Sequence, residues 1–133
     1  MPILNVTLAS APDAAQSARI AATLTQLTEQ ILQKDAALTS VAVAHVDPAH
    51  WFIGGTTLVE QRKTSFFLDI LVTDETNTAT QKAAYIAAVF SAMQQLLGEL
   101  HEVSYIHVHD ARAAAWGYGG VTQQFRAVRK QLS

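Results

Sequence analysis

Pro2 directly follows the initiator methionine, and a methionine before proline is normally removed, leaving a secondary amine at the chain start. Such an amine is a candidate general base, provided that something holds it still. In the next six residues Ile3, Asn5 and Thr7 alternate with Leu4, Val6 and Leu8, which is the period of a half-buried strand. A proline at the mouth of that strand is a positioned group. The plainer alternative is that Pro2 only opens an edge strand, where its missing N–H costs no ladder bond. Further along, Tyr105, His107 and His109 alternate onto one strand face, as pocket or as interface. The two histidines could begin a metal site, but no third histidine or nearby carboxylate falls at ligand-like spacing, so neither metal nor cofactor is expected.

The elements that must position these groups follow from hydrophobic period. Ser10 to Asp13 supply capping and proline signals, and Ile20, Leu24, Leu27 and Ile31 then mark one face of a helix over 13–34. A second strand is predicted over 41–46, followed by Trp51-Phe52-Ile53-Gly54-Gly55, where the paired glycines mark a turn, and a polar connection over 54–65. The second half repeats this plan: a strand over 66–73, and a helix over 78–100 with Ala83, Ile86, Phe90, Met93, Leu97 and Leu100 on its apolar stripe. A strand over 103–109 and the turn Trp116-Gly117-Tyr118-Gly119-Gly120 complete it. Sliding the chain by about 64 residues lays Leu4, Val6 and Leu8 on Leu68, Ile70 and Val72. The reading is one α+β domain over 1–133 with internal repeats of about 1–63 and 64–133. Each unit is a β-α-β element with parallel strands, and the two fused units form a four-stranded sheet with both helices on one face. The other sheet face then needs a cover, and self-association is the obvious source.

Composition narrows the partners. Half of the 133 residues are hydrophobic, 15% are charged, and the net charge is −2, so no basic field is available for nucleic acid or for a membrane surface. There is no cysteine, hence no thiol nucleophile or thiolate site. No leader-like start and no apolar run near about eighteen residues is present, and a cytoplasmic protein is expected.

Taken together, the Pro2 start, the two strand–helix–strand units, the Phe52-Ile53-Gly54-Gly55 turn and the Trp116-to-Gly120 segment resemble the tautomerase superfamily. The likeness is to fused-repeat members related to macrophage migration inhibitory factor, rather than to the half-length 4-oxalocrotonate tautomerase type. The resemblance implies a homotrimer whose sheets close into a barrel, with pockets at subunit boundaries and Pro2 as the catalytic base. It places Lys34 near a pocket lysine, matches Tyr105 and His107 to fourth-strand positions occupied by tyrosine and asparagine, and matches Trp51 and Phe52 to an aromatic wall. The half-length enzymes hold a substrate carboxylate with arginines after the first strand and on the second, but the segment from Ala9 to Ser17 contains none, and Ala42 stands on the second strand. A dicarboxylate substrate is therefore not expected. Relatives that hydrate halogenated acrylates place arginines after the third strand, where this chain has Thr73-Asp74-Glu75-Thr76.

The function expected from this resemblance is cofactor-independent keto–enol tautomerisation of a small 2-oxo acid, with Pro2 as general base. The alternative is a non-catalytic trimeric binding or scaffold member of the same fold. A ferredoxin-like ligand sensor is a third class, and it would be a dimer. Trp116 and Tyr118 are read as packing an intersubunit edge.

Overall fold

The structure, a computed structural model, describes residues 2–132. Strand β1 (Ile3–Leu8) leads to helix α1 (Ala14–Leu32) and strand β2 (Ser40–His45), followed by a small hairpin of β3 (Phe52–Ile53) and β4 (Thr56–Thr57) and one helical turn, α2 (Leu58–Gln61). The second half runs through β5 (Phe66–Thr73), α3 (Ala79–Leu97) and β6 (Tyr105–Ala111). It ends in a hairpin of β7 (Gly117–Tyr118) and β8 (Val121–Thr122) and in helix α4 (Gln123–Leu132). The main sheet has the order β2-β1-β5-β6. Within each unit the strands are parallel, and β1 and β5 meet antiparallel at the centre.

Both long helices start and stop on local chemistry. Asp13 caps α1 by accepting from Ala15 N at 3.0 Å and Gln16 N at 3.1 Å, and Gln33 closes it in the left-handed region at φ 58°. Thr78 and Gln81 form a reciprocal capping box on α3, and Gly98 ends it. The helices pack against each other on one sheet face. There Leu4, Val6 and Leu8 of β1 and Phe66, Leu68, Ile70 and Val72 of β5 meet Ile20, Leu24 and Leu32 of α1 in a closed core.

The inward face of α3 differs from the sequence expectation. Tyr85, Val89 and Met93 are fully buried, whereas Ile86 is 39% exposed and Ala83 is exposed. Phe90 and Leu97 pack at the margin. Met93 and Leu100 of the expected stripe are buried, so the inward face is turned by less than one residue step of about 100°, and Tyr85 goes inside. Its hydroxyl meets Thr28 Oγ1 at 2.8 Å, and Thr28 in turn donates to Leu24 O at 2.7 Å. Burial pushes the Tyr85 phenol up to about 12, against the smaller opposing effect of the Thr28 hydrogen bond.

The opposite sheet face is open within one chain. Ile3 and Asn5, Phe67, and Tyr105, His107 and His109 stand exposed on it, with Phe67 at 40% and Tyr105 at 69%. His107 Nδ1 lies 3.0 Å from Asp69 Oδ1 as a charge-type contact that lacks hydrogen-bond alignment. No helix among the described residues is long and apolar enough to cross a membrane.

Candidate active site

Strand direction decides which residues can reach Pro2. β5 runs antiparallel to β1 and β6 runs parallel to β5, so the end of β6 lies beside the start of β1. The segment after β6 therefore returns to Pro2. Pro2 is buried, and its carbonyl accepts from Ser40 N at 3.1 Å, which adds a rung to the β1–β2 ladder and fixes the residue. A cavity of about 200 Å³ opens at this point, bounded by Pro2, Leu38, Trp116, Gly117, Tyr118 and Gln123. Met1 lies outside the described residues.

Each wall has a local cause. Trp116 Nε1 donates to Thr73 Oγ1 at 3.2 Å, tying the indole to the end of β5. Gly117 has to be glycine, since a Cβ there would collide with Val121 O and come within 2.8 Å of Thr122 Cα across the hairpin. Gly119 and Gly120, at φ +63° and +83°, make the two-residue turn with both central residues left-handed, which matches the twist of its flanking strands. Gln123 N donates to Trp116 O at 2.9 Å and so begins α4 against the hairpin.

A second cavity, of about 440 Å³, adjoins the first and shares Tyr118 and Gln123 with it. Lys34 lines it and donates from Nζ to Thr76 Oγ1 at 2.8 Å. Burial lowers the Lys34 ammonium from its ordinary value, and the negative charge of Asp110 acts in the opposite direction. Arg126 of α4 lines the same cavity.

The other residues matched by resemblance are not brought to Pro2 within one chain. β2 is parallel to β1, and Val46 N donates to Leu8 O, so Trp51 and Phe52 follow from the far end of the sheet. Phe52 is 59% exposed. Tyr105 pairs with Phe67, which pairs with Thr7, again at the far end; His107 lies mid-sheet opposite Asp69 and Asn5. Trp116 and Tyr118, read from sequence as packing an intersubunit edge, line the proline cavity within one chain. The strand directions contained the signal for that placement. Gln123 and Arg126 went unread because α4 carries no buried residue and so shows no core-facing stripe. Among the described residues no cluster of three or more histidine, aspartate or glutamate side chains could hold a metal.

Residues 2–61 match the family model described as tautomerase enzyme. The whole chain also superposes on solved structures of that class. The crystal structure of native fused 4-OT has a TM-score of 0.79 at 23% identity, covering 94% of this chain and 98% of that one. The first unit thus matches the tautomerase family, and the chain has the fold of fused 4-OT and of macrophage migration inhibitory factor. Another fused 4-OT, called F6 and solved as an asymmetric trimer, has a TM-score of 0.78 at 20% identity, over 93% of this chain and 98% of its own. Macrophage migration inhibitory factor of Toxoplasma gondii has a TM-score of 0.74 at 16% identity, over 90% and 98%. A search of curated proteins finds no match. The fold likeness to fused 4-OT thus spans both units, while the family-model match covers the unit that begins with Pro2.

Proposed function

We propose that this protein is a cofactor-independent keto–enol tautomerase acting on a small 2-oxo acid, with Pro2 as the general base once Met1 is removed. The observation that carries the reading is Pro2 itself, buried at the start of the central strand and opening into a cavity with aromatic walls. The nitrogen takes a proton from the carbon next to the keto group, and the electron pair moves to the oxygen as an enolate. The same nitrogen then returns the proton to that oxygen. Lys34 or the amide of Gln123 stabilises the developing negative charge. Burial disfavours the protonated amine, which keeps a fraction of it free near neutrality.

The protein works as a homotrimer in this proposal. Its support is the uncovered sheet face, together with the trimeric fused 4-OT relative. For Trp51, Phe52, Tyr105 and His107 to touch substrate they must come from a neighbouring copy.

The test is ketonisation of the enol form of phenylpyruvate, followed as loss of enol absorbance. Pro2→Ala should lower the rate by about 10²- to 10⁴-fold, the usual worth of a positioned acid–base group, with an unchanged melting curve. An unaltered rate in that variant would leave the non-catalytic binding reading.

A further inference from the structure

The arginines that would hold a substrate carboxylate are missing from the first and second strands, yet one arginine reaches the site from elsewhere. We propose that the C-terminal helix supplies an anion subsite, in which the carboxylate of the substrate is held by Arg126 in the cavity that Arg126 and Lys34 both line. The inference rests on the tautomerase reading and specifies its substrate as a monocarboxylate.

Three observations carry it. The first is the charge of the lining. Lys34 and Arg126 border this cavity together with threonine, alanine, tyrosine and glutamine side chains, and among the described residues no carboxylate lines it. That is a local cationic surface on a chain whose net charge is −2. Asp110, the carboxylate whose charge acts on Lys34, is itself paired with Lys82 at 2.8 Å.

The second is the state of the Arg126 guanidinium. Its Nη2 donates to Tyr118 O at 2.9 Å, and its plane centre lies 3.9 Å from the middle of the Tyr118 ring. These contacts fix its orientation. Its Nε is buried and has no hydrogen-bond partner. A guanidinium carries five donor hydrogens in a rigid fork, and a buried donor without an acceptor is costly. A carboxylate in the cavity would accept from the fork's remaining Nη hydrogens, the strong charge-assisted geometry for which arginine is suited.

The third is continuity with the base. Tyr118 and Gln123 belong to both cavities, so a molecule anchored by its carboxylate at Arg126 extends past them toward Pro2, with its apolar part against Trp116 and Leu38. α4 has no buried residue, so core packing does not account for its position over the site.

Benzoate and its neutral analogue benzamide are suitable probes, titrated calorimetrically against the full, Met1-processed chain. Benzoate should bind more tightly than benzamide. Arg126→Gln should weaken benzoate by about tenfold and leave benzamide unchanged, and Arg126→Lys should recover part of the loss. If Arg126→Gln disturbs α4, Lys34→Gln reads the same cavity from outside that helix and should also weaken benzoate selectively. Benzoate binding no tighter than benzamide, or indifferent to both substitutions, would overturn the subsite. Failure of the tautomerase reading is seen separately, as an unchanged ketonisation rate in Pro2→Ala.

Discussion

A buried amine gives up its proton more readily than an exposed one, because low dielectric penalises the ammonium form. Pro2 is buried immediately before the central strand β1, an environment that favours the neutral amine. The rate of Pro2 alkylation by an electrophile should rise with pH and then level off, a profile that direct labelling measures. Lys34 has the opposite consequence for binding. Its lowered value means that the ammonium is lost at lower pH than for an ordinary lysine, and benzoate affinity should fall as pH rises through that point. Pro2 and Lys34 were singled out in the sequence, one from its place before a strand and the other from family likeness, and each lines one of the two adjoining cavities. Arg126 was not, because a charged residue in a polar terminal helix has no sequence signature that distinguishes a pocket from solvent.

At the level of elements, strand alternation was read correctly along β1 and β5 because each position there is either in the core or out of it. The apolar stripe of α3 was harder to read. Apolar residues occur nearly all round that helix, and Tyr85 entered the core through a hydrogen bond to Thr28, 57 positions away. That pair makes a stability prediction. The Tyr85 phenol is raised from 10.0 to about 12 in the folded protein. The folded state consequently holds more protons than the unfolded chain between these values, and stability is full below 10 and is lost as pH rises toward 12. The loss is of order 2–3 kcal/mol, and Tyr85→Phe should flatten it in urea titrations at stepped pH. The hairpin after β6 gives a second prediction. Gly117→Ala forces β7 away from Val121, and displacement of the Trp116–Tyr118 wall should cost about 10²-fold in kcat/KM while the urea midpoint of the core moves little.

As a whole molecule, the chain has a finished core on one side of its sheet and an unfinished surface on the other. β2 and β6 are edges, and Ser10 Oγ and His45 Nε2, at the far end of β1 and β2, are buried without partners. The proposed trimer would cover the open face. Phe67, exposed on that face at the end away from Pro2, is the position to test: Phe67→Glu should convert the trimer to monomer in sedimentation velocity, because it places a charge where an apolar surface is to be covered. An unchanged trimer would mean that this face is not the interface. The need for a cover was legible from one-sided helix placement, whereas the residues each copy lends to its neighbour were not, since one sequence does not say which chain a side chain will meet. The most direct measurement is the native mass of the assembled protein after incubation with 3-bromopropiolate at neutral pH, with peptide mapping of the adduct. The account predicts a trimer of chains lacking Met1, each labelled once, on Pro2. Chains that keep Met1, or processed chains that remain unlabelled, would contradict the claim that Pro2 is the base.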